Sequence, residues 1–193
     1  MPRRLFVALA PPEPVSRRLA AAAARIRRAA GAAGGEVRWV ADENLHLTLQ
    51  FLGAVPEERV EAVAAAVGAA AAAARPISLE VKGAGGFPNA RRPRVVWLGL
   101  AGEIEALASL AVDLGRRLAP LGFSPEARPF AAHLTLGRAR DGRGAPGLGG
   151  ALAAEAAGEG ITWRAAELVL FESHLSPRGP QYEPVLRAPL GGG

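Results

Sequence analysis

The tetrapeptide His-Leu-Thr-Leu occurs twice in this chain, as His46-Leu47-Thr48-Leu49 and as His133-Leu134-Thr135-Leu136. The two copies contain two of the three histidines in the sequence. Because successive side chains of a strand point to opposite faces, the histidine and the threonine of each copy share one face. The leucines, together with Phe51, are expected to line the opposite, core-facing side. The repeat therefore predicts two strands that each present an imidazole and a hydroxyl to a common cleft.

The order of predicted elements repeats as well, since each half runs strand, helix, motif strand, connector and further strand. This duplication predicts an α+β fold with two pseudo-symmetric lobes of antiparallel sheet, outer helices and a central cleft, within one domain over residues 1–193. Strands are predicted over residues 4–10, 36–40, 46–53, 77–82, 95–100, 161–172 and 182–187, and the second motif strand is predicted to begin at residue 133. Helices are predicted over residues 13–33, 56–74, 103–118 and 152–157.

Composition limits the chemistry. The chain of 193 residues contains no cysteine, which excludes disulfides, thiolate metal sites and a cysteine nucleophile. Its net charge of +5 favours a polyanionic partner such as RNA, although nearly all basic residues are arginine, and a GC-rich coding bias would produce the same excess. The first apolar run, residues 5–10, is too short for a signal peptide, and no stretch is long and apolar enough to span a membrane. We expect a cytoplasmic monomer.

Two opposed imidazoles suit acid and base catalysis. Histidine titrates near pH 6.5, so one ring can be neutral while the other is protonated. The threonine hydroxyls can donate hydrogen bonds to phosphate oxygens, an arrangement that fits in-line displacement at a phosphodiester. Metal binding is disfavoured, because zinc sites need three or four ligands and no further cluster lies at ligand spacing. His174 lies outside the repeat and is expected to be an ordinary surface or core residue.

Further segments flank the two motifs. They are Arg4–Ala8, Trp39-Val40, Asn44-Leu45, Phe51–Gly53, Phe87–Asn89, Arg92–Val95, Arg128–Phe130, Glu172-Ser173 and Leu175–Pro177. With these segments the sequence resembles the two-histidine (2H) phosphoesterases, and within them the RNA 2′,3′-cyclic phosphodiesterases that are also called 2′-5′ RNA ligase-like proteins. The resemblance covers nearly the whole chain.

The resemblance implies an enzyme that opens a 2′,3′-cyclic phosphate at an RNA end and leaves a 2′-phosphate, with neither metal nor cofactor. One histidine would activate water while the other protonates the departing 3′ oxygen. We expect His133 to be the base and His46 the acid, although spacing leaves this assignment open. Thr48 and Thr135 would hold the non-bridging oxygens, and Arg138 would bind the phosphate with its guanidinium fork.

Two alternatives remain open at this point. The enzyme could act on small cyclic nucleotides, or the chain could be a non-catalytic RNA-binding module. The leading reaction could also run backwards to join 2′-5′ ends. The threonines could simply favour strands, and Arg138 could be an ordinary surface charge. Residues 83–87 are expected to form a cleft-side turn. Base stacking is conceivable for Phe87 and Tyr182, whereas buried packing is expected for Phe130 and Trp39.

Overall fold

The computed structural model describes residues 1–124, 130–156, 160–176 and 179–191, and gives the side chains of residues 155 and 156 no description. Three residues of the flanking segments, Arg128, Pro129 and Pro177, lie outside this part of the chain. No helix among the described residues is long and apolar enough to span a membrane.

Nine strands and four helices make up the described fold. The strands are β1 (Arg3–Leu9), β2 (Val37–Trp39), β3 (Leu47–Val55), β4 (Ile77–Phe87), β5 (Val95–Gly102), β6 (His133–Ala139), β7 (Thr162–Ala165), β8 (Glu167–Ser176) and β9 (Gly179–Pro189). The helices are α1 (Glu13–Ala29), α2 (Glu57–Ala73), α3 (Ile104–Leu118) and α4 (Gly149–Ala156). Short 3₁₀ helices cover Gly31–Glu36, Asp42–Asn44 and Ala119–Leu121.

The strands form two antiparallel sheets. The four-stranded sheet has the order β3-β1-β8-β9, and the five-stranded sheet has the order β2-β6-β5-β4-β7. Position by position, β3-β1-β8-β9 corresponds to β6-β5-β4-β7, with β2 added at one edge. The α+β class with two pseudo-symmetric lobes is therefore confirmed, and each lobe carries one motif strand beside the first strand of its half.

The two halves of the sequence exchange strands, so that each sheet contains strands from both halves. Strand β4 belongs to the first half but pairs with β5, and β8 belongs to the second half but pairs with β1. The single strand predicted over 161–172 is wrong in this respect, because it divides into β7 and β8, which belong to different sheets. Burial alternates along β7, whereas four consecutive residues of β8 are buried, so the two segments have different environments.

Two further predictions are wrong for local reasons. The helix predicted over residues 13–33 is too long, because α1 ends at Ala29 and the chain continues as a 3₁₀ segment in which Gly31 has a positive φ of 54°. The turn predicted over residues 83–87 is instead part of β4. The indole of Trp97 lies against Gly85, where a Cβ would approach ring carbons to 2.5 Å. Gly85, one of the glycines that indicated a turn, provides room for a tryptophan on the sheet.

The core lies between the sheets and the helices. Strand β1 is buried on both faces, which explains its continuous apolar sequence. Leu5, Val7 and Leu9 join the main core with the buried sides of α1, α2 and α3. On the other face, Phe6 and Ala8 form a smaller cluster with Val169 and Phe171. This second cluster forms the floor beneath the first motif histidine.

Each motif strand contains a β-bulge at the same place. On β3, Thr48 pairs with Ala8 and Gln50 with Val7, which leaves Leu49 as the extra residue. On β6 the corresponding extra residue is Leu136, the last residue of the second motif. A bulge inserts one residue into a strand and so reverses which face the following side chains occupy.

The bulges bring the fifth residue after each histidine to the histidine face. Phe51 pairs with Phe6, and Arg138 pairs with Val95, on the same faces as Thr48 and Thr135 respectively. The expectation that Phe51 lines the core with the leucines is therefore wrong, and its side chain is 64% exposed. Strict alternation without the bulge would also have turned Arg138 away from the site.

Stability measurements can check this assignment of faces. Leu49 is only 7% exposed and packs in the main core, so Leu49→Ala should lower the free energy of unfolding by about 2–5 kcal/mol. Phe51→Ala should cost less than about 1 kcal/mol, because most of that side chain already contacts solvent. Denaturant unfolding of both variants gives the comparison. Equal losses would contradict the bulge.

Candidate active site

His46 is held by its own backbone. It lies immediately before β3, and its Nδ1 is 2.7 Å from the carbonyl oxygen of Asn44. A carbonyl only accepts hydrogen bonds, so Nδ1 carries a proton and donates it. Asn44 is itself buried, and its Nδ2 donates to the Pro180 carbonyl at 2.7 Å, which fixes this turn against β9. Nε2 is left as the nitrogen that can exchange a proton with a substrate.

His133 has the same arrangement in the other lobe. Its Nδ1 donates to the carbonyl oxygen of Ala131 at 2.7 Å, which is again the residue two positions earlier. The tautomer of both rings is therefore fixed in the same way, with Nε2 available in each. Among the described residues, no hydrogen bond to protein engages Nε2 of either ring.

Aromatic rings orient both imidazoles. Tyr182 meets the His46 ring edge-on, with centroids 5.2 Å apart and an interplanar angle of 87°. Phe87 meets the His133 ring in the same way, at 5.1 Å and 88°. Phe6 also contacts His46, with a centroid distance of 4.9 Å. The two aromatic residues for which base stacking was conceivable therefore pack on the motif histidines.

The remaining predicted site residues lie on the motif strands. Thr48 and Thr135 are half-buried on the histidine faces of β3 and β6. Arg138 is exposed on the Thr135 face, and no ion pair or hydrogen bond within the described ranges engages its guanidinium. Strands β3 and β6 contact each other, so the two motifs border one cleft.

Electrostatics link the two sides of this cleft. Burial lowers the pKa of the His46 imidazole, the hydrogen bond to Asn44 opposes this, and the positive charge of Arg138 lowers the pKa further. Burial raises the pKa of Tyr182, and the same arginine acts in the opposite direction. Arg138 stands on the five-stranded sheet, whereas His46 and Tyr182 belong to the four-stranded sheet. The arginine therefore faces the opposite lobe.

Comparison with known proteins agrees with this geometry. A family model described as LigT like Phosphoesterase matches the chain twice, over residues 9–97 and 98–182. The chain belongs to the LigT-like phosphoesterase family. The resemblance to the 2H phosphoesterases is thereby confirmed, and the two matches reflect the internal duplication.

Individual relatives cover most of the LigT-like chain. An RNA 2′,3′-cyclic phosphodiesterase of Aeropyrum pernix is 36% identical over 162 residues, which cover 83% of this chain and 90% of the relative. A protein of the same name from Methanothermobacter thermautotrophicus is 35% identical over 82% of this chain and 85% of the relative. Among solved structures, TT0787 of Thermus thermophilus superposes with a TM-score of 0.77 at 28% identity, covering 98% of each chain. E. coli LigT complexed with 3′-AMP superposes with a TM-score of 0.76 at 30% identity, covering 98% of this chain and 99% of LigT.

Some parts of the site were not predicted. Asn44 and Ala131 act through backbone carbonyls, so no side-chain type repeats at that position and the sequence carries no signal for it.

Trp39 and Phe130 pack against the main core as expected. His174 is 48% exposed, and its Nε2 lies 3.7 Å from a carboxylate oxygen of Glu172 and 3.4 Å from one of Glu183, in agreement with its expected surface role. Within the described ranges, no three histidine, cysteine, aspartate or glutamate side chains are placed to hold a metal ion.

The electrostatic link across the cleft can be measured directly. Arg138→Gln removes a positive charge that lowers the pKa of His46, so the pKa of His46 should rise towards its ordinary value. NMR titration of the histidine ring signals would follow this change. Arg164→Gln, an exposed strand arginine at the far edge of the same sheet, is the control and should leave the titration of His46 unchanged. An unaltered pKa in Arg138→Gln would mean that this guanidinium does not face His46.

Proposed function

We propose that this LigT-like protein hydrolyses 2′,3′-cyclic phosphodiesters at RNA ends to 2′-phosphomonoesters by acid and base catalysis with His46 and His133. The observation that carries the proposal is the pair of imidazoles, one in each lobe, that are fixed in the same tautomer beside one arginine. The relatives named RNA 2′,3′-cyclic phosphodiesterase support the substrate class. Both motifs come from one chain, so a monomer in the cytoplasm would hold a complete site without a cofactor.

The proposed reaction is an in-line displacement at phosphorus. One imidazole accepts a proton from water through Nε2 while the water oxygen forms a bond to phosphorus. The bond from phosphorus to O3′ breaks, and the second imidazole donates its Nε2 proton to O3′. The products are a 2′-phosphomonoester and a free 3′ hydroxyl, and solvent restores the two protonation states.

The other three residues would stabilise charge on the phosphate. The hydroxyls of Thr48 and Thr135 donate hydrogen bonds to the two non-bridging oxygens from opposite lobes. Arg138 adds a positive charge on the same face and can engage two oxygens through its planar fork. The paired strands β3 and β6 set the backbone positions of these donors before substrate binds.

The environment of His46 bears on which ring is the base. Because burial and Arg138 lower its pKa, the free imidazole stays neutral to lower pH than an ordinary histidine. A neutral ring can accept a proton from water, whereas a general acid must already carry one. We therefore propose His46 as the base and His133 as the acid, the reverse of the assignment expected from the resemblance.

A second candidate substrate is a cyclic mononucleotide, because E. coli LigT, a relative with the same fold, forms a complex with 3′-AMP. The chemistry would be unchanged, and the two substrates differ only in the RNA chain that precedes the terminal nucleotide. Reverse joining of 2′-5′ ends would use the same groups in the opposite direction.

Removal of either imidazole should abolish most turnover. His46→Ala and His133→Ala should each lower kcat on a cyclic-phosphate oligonucleotide by about a hundred- to ten-thousandfold, the usual contribution of one acid or base. Activity should survive EDTA, because no step uses a metal. The measurement is single-turnover hydrolysis with identification of the 2′-phosphate product, and circular dichroism verifies the fold. Full activity in either variant would reject the pair.

A substrate with an activated leaving group should separate acid from base. In a 3′-deoxynucleoside 2′-(p-nitrophenyl phosphate), nitrophenolate departs without needing a proton, so loss of the acid matters little. We expect His133→Ala to lose far less activity on this ester than on the cyclic phosphate, while His46→Ala remains impaired on both. The opposite pattern would identify His46 as the acid.

A further inference from the structure

Two arginines are paired across the edge of the five-stranded sheet. Arg38 on β2 is the register partner of Arg138 on β6, and both side chains are exposed. Directly paired residues of antiparallel strands project from the same face, with Cα atoms about 5 Å apart. Arg38 therefore lies on the cleft face, one strand further out than Arg138.

The close pairing of β2 with β6 depends on a residue without a side chain. A Cβ on Gly137 would come within 2.5 Å of the Val37 Cγ1 and 3.0 Å of the Arg38 carbonyl oxygen. Glycine at this position therefore allows the edge strand to approach, and the approach brings the second guanidinium alongside the first. Val37 is buried on the opposite face, which anchors the strand with Arg38 outward.

This pairing is unfavourable in the free protein. Like charges directly opposite on a sheet repel each other. Among the described residues, no ion pair or hydrogen bond compensates either guanidinium. Arrangements that reduce stability in this way are typical of binding sites, where a ligand supplies the missing counter-charge. Two adjacent positive charges beside a phosphate site match a ligand with a second phosphate.

We propose that Arg38 binds the phosphodiester that precedes the terminal nucleotide of an RNA strand, while Arg138 engages the terminal cyclic phosphate. The proposal rests on the proposed function and adds a specificity determinant to it. A cyclic mononucleotide has no second phosphate, so only an RNA chain gains from Arg38. The strand would leave the cleft over β2, the edge of the five-stranded sheet.

Positive charge continues beyond this edge. A pocket of about 310 Å³ lies beside β2 and is lined by seven residues that include Arg27 and Arg140 but no acidic side chain. The backbone carbonyl of Gly35 accepts a hydrogen bond from Nε of Arg140 at 3.0 Å, which holds that arginine at the rim. Val37 and Trp39 project from the face of β2 opposite to Arg38, so an RNA strand would reach this pocket only after passing around the edge of the sheet.

The test compares two substrates on the full chain. For wild type and Arg38→Gln, kcat/KM is measured on a cyclic-phosphate dinucleotide and on a 2′,3′-cyclic mononucleotide. We expect kcat/KM on the dinucleotide, divided by kcat/KM on the mononucleotide, to fall about tenfold in Arg38→Gln. The change should appear in KM of the dinucleotide, because one charge-assisted contact is lost. The slope of log kcat/KM against log salt for the dinucleotide should also become shallower by about 0.7, the value for one phosphate on a single strand.

Matched variants make the outcomes distinct. Arg164→Gln, on β7 at the opposite edge of the sheet, should keep the wild-type ratio, and Arg38→Lys should keep most of it because the charge remains. The melting temperature of Arg38→Gln should not fall, since a repulsive pair is removed. An unchanged ratio in Arg38→Gln, or an equal loss on both substrates, would overturn the proposal. Failure of wild type to open either substrate would instead reject the proposed function.

Discussion

The site depends on one local hydrogen bond that occurs twice. Each motif imidazole donates Nδ1–H to the carbonyl oxygen two residues earlier in its own chain. This bond fixes the tautomer and the ring orientation, yet the partner is neutral. A carboxylate in the same position would stabilise the imidazolium and raise its pKa by charge. A carbonyl orients the ring without placing a negative charge beside it.

The β-bulges make the symmetric framework into an asymmetric site. Both strands bulge at the last leucine of the motif, and both therefore turn the fifth residue after the histidine towards the cleft. One lobe places Phe51 there and the other places Arg138. Since Arg138 acts on His46 across the cleft, the two rings have different surroundings although their backbone bonds are alike. The proposed hydrolysis needs one acid and one base, and the lowered pKa of His46 distinguishes this ring from an ordinary imidazole.

The sequence predicted the parts of the fold that follow from periodicity and repetition. The repeated tetrapeptide and the element order were sufficient for the two-lobed fold, and strand alternation was sufficient to place Thr48 and Thr135 on the faces of their histidines. Arg138 was proposed from the family resemblance and not from the pattern. Bulges do not follow from a pattern of apolar residues, so Phe51 was assigned to the core. The glycines of β4 indicated a turn, because the sequence alone does not show that Trp97 of β5 packs against Gly85 when the two strands pair. Carbonyl contacts such as that of Asn44 carry no side-chain signal at all.

The strand exchange explains how two lobes can hold a cleft of fixed width. If each half of the chain formed its own sheet, a single linker would join the lobes and their separation could vary. Instead β4 pairs with β5 and β8 pairs with β1, so each sheet contains a strand from the other half of the sequence. The chain passes between the two sheets at four connections, β1–β2, β2–β3, β3–β4 and β7–β8, and moving the lobes apart would have to stretch all four. The imidazoles are thus held in position by the sheets themselves, and such preorganisation is what proximity catalysis requires.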